Sequence, residues 1–207
     1  MDGVLTDIHS SWQYIHDHFG KSNMHSVDAY LQGKIDDREF MRRDCALWKT
    51  NGQLVTKAEL VDILSQVPLM EGARECLGVL KQKRIATAIV SAGIDLLSNR
   101  IAQELGIDCV YANGIQVDTA GRITGEGVLR VKLNQKDQVI SMLSHQLRVP
   151  LEHIAAVGNS CFDAPMLDIC GLGIAFNPSD ECIRQRADII VEEKDLRKLL
   201  PVIEYYS

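Results

Sequence analysis

Ile154-Ala155-Ala156-Val157-Gly158-Asn159-Ser160-Cys161-Phe162-Asp163 is an apolar run that stops at a glycine, an amide and a hydroxyl, with a carboxylate following. A short run over 154–157 without alternating polar residues is the pattern of a strand buried on both faces. A helix over 162–169 is predicted to follow it. The same strand-then-helix unit recurs along the chain beyond Pro68. Helices are predicted over 71–82, 94–105, 135–147, 181–185 and 195–203, with Gly106 stopping the second of them. Strands are predicted over 85–91, 109–112, 172–176 and 188–191. The segments 115–117 and 123–125, joined by a turn over 118–122, read as a hairpin. Apolar strands separated by helices imply an α/β fold, a doubly wound parallel sheet covered on both faces.

The region before Pro68 reads differently. Val4 and Leu5 look like the tail of a buried strand. An amphipathic helix is predicted over 8–19, with Trp12, Ile15 and Phe19 on one face. Further short helices over 27–31, 37–49 and 57–64 are punctuated by Gly33, Asn51-Gly52 and Pro68, and no strand is predicted among them. The expected organisation is therefore a core made of 1–9 and 69–207, with a helical cap over 10–68 inserted after the first strand.

Bulk properties remove several function classes. The chain has 207 residues, 46% of them apolar and 24% charged, which is ordinary for a protein that buries its own core. A net charge of -6 supplies no basic footprint for nucleic acid. An acidic chain that handles phosphate esters must gather positive charge locally. The longest apolar stretch, near 85–94, is too short to cross a bilayer, and Met1-Asp2-Gly3 does not open a signal peptide. The six cysteines, Cys45, Cys76, Cys109, Cys161, Cys170 and Cys182, contain no C-x-x-C pair and are expected as buried, reduced thiols of a cytoplasmic protein. His16 and His18 have no partners at zinc spacing and are expected on an exposed helix surface.

Ligands of open parallel sheets sit beyond the carboxyl ends of the strands. Asp2, Gly3 and Asp7 follow the first apolar run. Ser91-Ala92-Gly93 follows the strand over 85–91, and Gly158-Asn159-Ser160, with Asp163 beyond, follows the strand over 154–157. Lys136 lies in the first turn of the helix feeding that strand. Carboxylates, an amide, a hydroxyl and an ammonium on one edge suit a hard cation next to a bound phosphate. Each of these has a plain structural reading as a turn, a cap or a solvated side chain; the ordered set is the signal.

That ordered set resembles the haloacid dehalogenase superfamily, and within it the phosphoserine phosphatase-like members. Met1-Asp2-Gly3-Val4-Leu5-Thr6-Asp7 resembles the motif D-x-D-G-[TV]-L-[TV]-D without its first aspartate. Val90-Ser91-Ala92-Gly93 is similar to the second motif, Lys136 to the third, and Gly158-Asn159-Ser160-Cys161-Phe162-Asp163 to G-[DN]-x-x-x-D. The resemblance runs through essentially the whole chain.

What it implies is a magnesium-dependent phosphomonoester hydrolase that works through an aspartyl-phosphate. Asp2 is the implied general acid and base, and through its backbone carbonyl also a metal ligand, with Asn159 and Asp163 positioning magnesium directly or through water. Ser91, Ala92 and Gly93 are implied to hold phosphoryl oxygens, and Lys136 to neutralise phosphate and nucleophile. The implied nucleophile falls immediately before Met1, so the expectation is a start assigned one residue too late. The neighbours of the strand that should carry it are then expected to lack a partner, and the chain as written is expected to have little activity.

Three positions bear on the substrate. Asn159 stands where an aspartate is commoner, Phe162 where these phosphatases carry asparagine, and His9 near the place of their substrate-binding glutamate. Arg42, Arg43 and Asp44 form a cluster able to hold a carboxylate or an ammonium group. The leading expectation is O-phosphoserine hydrolysis. The alternatives are a phosphatase of another small phosphorylated metabolite and a catalytically inactive phosphate-binding module. The expected partner is the small phosphorylated metabolite, with neither nucleic acid nor membrane, for a monomer or homodimer.

Overall fold

The computed structural model describes residues 1–206. Its first residues form a tight turn where a strand tail was expected. The N–H groups of Val4, Leu5 and Thr6 all point to the Met1 carbonyl, at 3.1, 2.8 and 3.4 Å. Leu5 O accepts the Met70 N–H and Pro68 O accepts the Asp7 N–H, so the turn is sewn to the start of the second region.

Three helices follow, α1 (Ser11–His18), α2 (Met24–Leu31) and α3 (Asp37–Leu47). Asp36 caps α3 by accepting the Glu39 N–H, which satisfies one of the free donors of its first turn. A hairpin then appears that the sequence reading did not include: β1 (Lys49–Thr50) pairs antiparallel with β2 (Gln53–Leu54). Asn51 and Gly52 both take positive φ, 51° and 80°, as a two-residue hairpin turn requires. Helix α4 (Lys57–Ser65) starts with a reciprocal capping box between Thr56 and Glu59.

The alternating region comprises α5 (Ala73–Gln82), β3 (Ala88–Ile94), α6 (Asp95–Leu105), β4 (Cys109–Val117), β5 (Ile123–Val128), α7 (Lys136–Leu147), β6 (Ala155–Gly158), α8 (Ala164–Ile169), β7 (Leu172–Phe176), α9 (Glu181–Arg186), β8 (Ile189–Val191) and α10 (Leu199–Tyr206). The strand expected over 85–91 is displaced to Ala88–Ile94, and the expected strand at 109–112 continues unbroken into the hairpin. The α/β class with parallel strands is as expected.

The strands form two three-stranded sheets, β3-β4-β5 and β6-β7-β8. Within them β3–β4, β6–β7 and β7–β8 are parallel and only β4–β5 is antiparallel. Side-chain alternation makes the two sheets one layer. Ile89 and Ile94 of β3 share a core with Leu172, Ile174 and Phe176 of β7, beneath α5, α6 and α10. Val90 of β3 and Ala156 and Ala175 of the other sheet face a second core under α7, α8 and α9. Apolar residues on both faces explain why these runs read as continuous rather than alternating. β3 and β6 are end strands of their sheets, and residues 1–3 lie between their carboxyl ends. A Cβ on Gly93 would meet Asp2, and one on Gly3 would meet Asn159.

Two expectations about side chains are corrected. His16 is fully buried, because α1 packs against α3 and α4 and needs an inward residue one turn from Trp12. Cys161 is exposed and bridged to Cys182, so the reading of six buried, reduced thiols does not hold. Cys45 and Cys76 are buried and unbridged, and Cys109 and Cys170 are half-buried and unbridged. Among the described residues, no helix is long and apolar enough to cross a membrane.

Candidate active site

Asp2 leaves the opening turn with its carboxyl directed toward the end of β3. Its Oδ2 accepts the Ser11 N–H at 2.8 Å and the Ser11 hydroxyl at 2.9 Å. The Ser11 hydroxyl in turn accepts the Ile94 N–H at 3.1 Å, so one side chain joins the first turn, α1 and β3. Asp2 Oδ1 is buried and has no hydrogen-bond partner among the described residues. Burial pushes the Asp2 carboxyl above the usual carboxylate range, opposed by the nearby Met1 ammonium, the two Ser11 bonds and Lys136. Burial also holds the Met1 amino group below its ordinary value, with Asp2 and Asp163 acting against that.

Next to Asp2, β3 bulges between Ser91 and Ile94. Ser91 is buried, and its hydroxyl oxygen accepts the Gly93 N–H at 3.0 Å, which leaves its own proton for another acceptor. The Ala92 carbonyl is turned the other way and accepts from Trp12 Nε1 at 3.1 Å and Asn113 Nδ2 at 3.2 Å. Gly93 has to be glycine here: a Cβ would lie 2.8 Å from both Asp2 Oδ2 and Ser11 Oγ.

On the side of β6, Lys136 and Asp163 are both buried and meet at 2.5 Å through Nζ and Oδ1. Asp163 Oδ2 accepts the backbone N–H groups of Asn159 and Ser160 at 2.9 and 3.3 Å. Burial alone raises the Asp163 pKa, but the Lys136 ammonium, the Met1 ammonium and these hydrogen bonds outweigh it and hold the carboxylate low. The Asn159 side chain lies against Gly3, and the Asn159 backbone carbonyl accepts from Ser179 N at 2.8 Å and Ser179 Oγ at 2.9 Å.

Asp2, Ser91, Gly93, Lys136, Asn159 and Asp163 thus come together around residues 1–3. Arg42 and Arg43 do not join them. Both are exposed on α3 and bond Glu39, whose carboxyl these bonds hold down to about 2. Asp44, third in that cluster, is buried instead and accepts from Asn23 Nδ2. Asp7 is exposed and paired with Lys194, which removes it from the site. Three residues that the motifs do not contain complete the arrangement. Ser11 anchors Asp2, Asn113 anchors the Ala92 carbonyl, and Trp12 links that carbonyl to the helices. Trp12 stacks on Trp48 at 5.4 Å, and Trp48 Nε1 donates to His16 Nδ1 at 3.0 Å. The other His16 nitrogen lies 3.4 Å from Asp44 Oδ2. The one sequence signal for these was the Ser10-Ser11 pair at the start of α1, a capping pattern.

The donor set suits a hard divalent cation. Asp2 Oδ1 is a buried oxygen with no partner among the described residues, the Asn159 side-chain amide lies beside Gly3, and the Asp163 carboxylate is held on the same edge. A carboxyl whose pKa burial raises, an available hydroxyl and a buried ammonium within one cluster offer an acid, a donor for phosphoryl oxygens and a fixed positive charge.

The comparisons with known proteins agree with this chemistry. A family profile described as haloacid dehalogenase-like hydrolase matches residues 1–168. The phosphoserine phosphatase of Methanocaldococcus jannaschii is 31% identical over 84% of this chain and 80% of its own length. A solved phosphoserine phosphatase complex with substrate bound superposes with a TM-score of 0.83 at 27% identity, covering 98% of this chain and 95% of the other. A phospho-aspartyl intermediate analogue of phosphoserine phosphatase superposes with a TM-score of 0.82 at 27% identity, with the same coverage.

Proposed function

The chain belongs to the haloacid dehalogenase-like hydrolase family and is a phosphatase of the phosphoserine phosphatase-like kind, and from that premise we propose that it hydrolyses O-phosphoserine to serine and phosphate with magnesium bound. The observation that carries the reading is the Asp2 carboxyl, anchored by Ser11 through one oxygen, unpaired at the other and pushed by burial above the usual carboxylate range.

A protonated Asp2 donates its proton to the leaving ester oxygen, which departs as the free hydroxyl. The carboxylate left behind takes a proton from the water that attacks next. The Ser91 hydroxyl and the Ala92 N–H hold the phosphoryl oxygens, while the Gly93 N–H orients the Ser91 oxygen, and Lys136 neutralises their growing charge from a water-poor position. Magnesium, when bound, would supply charge neutralisation on the phosphoryl group, with the Asp2 backbone carbonyl, Asn159 and Asp163 as its oxygen donors.

The attacking carboxylate in this reading belongs to a residue immediately upstream of Met1. The segment 10–68 is the proposed cap over this edge, reaching the Ser91 loop through Trp12. The proposed setting is the cytoplasm, with a small phosphorylated metabolite as partner and a monomer or homodimer as the assembly.

A second reading, a phosphatase of another small phosphorylated metabolite, is favoured by the engagement of Arg42 and Arg43 with Glu39, which keeps both from serving a substrate carboxylate. The test is magnesium-dependent phosphate release from phosphoserine, a sugar phosphate and an aryl phosphate. The chain as given is compared with one extended upstream by an apolar strand ending in aspartate. Turnover by the extended chain alone, abolished by Asp2→Asn, supports the proposal, and preference for phosphoserine within the panel selects the substrate. No release from any ester by either folded chain replaces it with an inactive phosphate-binding module.

A further inference from the structure

Cys161 and Cys182 are bonded to each other, with their Cα atoms 5.3 Å apart and a sequence separation of 21. That Cα spacing lies within the range a disulfide spans without backbone movement. Cys161 stands in the loop between β6 and Asp163, and Cys182 in the first turn of α9. We propose that this pair is a reversible redox site, whose closure clamps the 158–163 loop, and with it Asp163, onto the segment 177–182.

The bridge closes a contact that is already set. Asn159 O accepts both the N–H and the hydroxyl of Ser179, and Asp180 Oδ2 accepts the Cys161 N–H at 2.9 Å. These bonds hold the two sulfurs near each other in the thiol state, so closing and opening the bridge needs no rearrangement of the fold. Neither motif chemistry nor packing uses the pair: Cys161 is exposed and Cys182 half-exposed, and both are reachable by a small oxidant. Three of the other four thiols are poorly suited to compete. Burial pushes Cys45 up to about 12, and Cys76 and Cys170 up to about 11.

The oxidant is a low-molecular-weight disulfide. The thiolate of one cysteine attacks a sulfur of that disulfide, forms a mixed disulfide and releases one small thiol after it takes up a proton. The second cysteine then attacks the protein sulfur of the mixed disulfide and releases the other small thiol. The protein loses two thiol protons and two electrons, and the small disulfide gains both as two thiols.

The effect on Asp163 follows from where the loop is fastened. Asp163 is held by Lys136 from one side and by Asn159 and Ser160 amides from the other. Those amides belong to the loop the bridge restrains. Opening the bridge leaves only hydrogen bonds at an exposed edge to keep them in place. The inference stands apart from the substrate reading, because none of its readouts requires turnover.

The experiment equilibrates the chain in reduced and oxidised glutathione at stepped ratios, quenches with acid, alkylates and maps the peptides. Amide exchange of 159–163 and the melting temperature are then measured on both end states, with Cys182→Ser as control. The expected result is a single bridge, 161 to 182, that opens under reducing ratios. The reduced chain exchanges the 159–163 amides several-fold faster and melts about 5–10 °C lower. Cys182→Ser in oxidising buffer behaves as the reduced native chain does. Asp180 lies with both sulfurs within 4.8 Å, so zinc uptake is measured with a chromophoric chelator. Both thiols alkylated at every ratio, one zinc bound in place of the bridge, or unchanged 159–163 exchange on reduction would each overturn the proposal.

Discussion

Ser11 bonds the same oxygen of Asp2 twice, through its backbone N–H and through its hydroxyl, and that hydroxyl also receives the N–H of Ile94. One small side chain therefore aims the Asp2 carboxyl and closes the bulge of β3. Ser11→Ala keeps the backbone bond but strands the buried Ile94 N–H, at a cost of about 1–3 kcal/mol. The expected outcome is a melting temperature lower by roughly 2–10 °C with secondary structure unchanged. Thermal unfolding by circular dichroism checks it, and an unaltered transition would mean that water or Asp2 alone satisfies the donor.

Lys136 and Asp163 make a buried ion pair, and its two members do not share the same supports. Lys136→Met leaves the Asp163 carboxylate buried with only the Asn159 and Ser160 amides, and the loss is expected at about 3–5 kcal/mol. Asp163→Asn leaves a buried ammonium with an amide oxygen in place of a charge and costs a similar amount. The double variant Lys136→Met with Asp163→Asn removes both charges, so it should cost clearly less than the two singles together. Denaturant titration of all four chains measures the coupling, and strict additivity refutes the pairing as an energetic unit.

Gly3 combines a positive φ of 71° with a Cβ position 2.1 Å from Asn159 Nδ2. Gly3→Ala thus meets two penalties: about 1 kcal/mol from the backbone and more from displacing Asn159. Asn159→Ala vacates that space. In its background the Gly3→Ala loss should fall to the backbone part alone. A cycle in which Asn159→Ala brings no relief places the strain elsewhere.

Asp2, Ser91, Lys136, Asn159 and Asp163 were readable because each stands at the end of an apolar run or in the first turn of a helix, and a parallel sheet gathers such ends on one edge. The residues that were not readable act through contacts distant in sequence. Trp12 reaches Ala92 across 80 positions, and nothing local marks it. Arg42 and Arg43 resemble a substrate grip, yet Glu39 stands three and four residues before them, the spacing at which a helix pairs charges with itself. His16 and His18 looked alike, but two positions apart on a helix they point to different sides, and only His16 meets Trp48. The β1–β2 hairpin carried its signal openly in Asn51-Gly52 and was passed over because the surrounding helices set the pattern.

The unbridged thiols make a simpler prediction. Because burial raises Cys45 to about 12 and Cys76 to about 11, both stay as thiols throughout the neutral range. A thiol-directed chromogenic reagent at pH 8 should leave them unlabelled until denaturant is added. Rapid labelling of Cys45 in the folded chain would show that α3 opens far more readily than its packing suggests.

Trp48 is fully buried at the centre of the link between the helices and the Ser91 loop. It donates to His16 Nδ1, stacks on Trp12, and through Trp12 reaches the Ala92 carbonyl. Trp48→Phe keeps an aromatic face but removes the donor, so a buried imidazole nitrogen loses its partner at about 1–3 kcal/mol. The smaller ring weakens the stack on Trp12 and leaves a void that adds further loss. A drop of roughly 5–15 °C in melting temperature is expected. His16→Leu removes the acceptor that the first substitution orphans, so adding it to Trp48→Phe should cost less than it does in the native background. If His16→Leu costs the same in both backgrounds, the indole–imidazole bond holds nothing, and α1 is kept against the Ser91 loop by Trp12 and Ser11 without it.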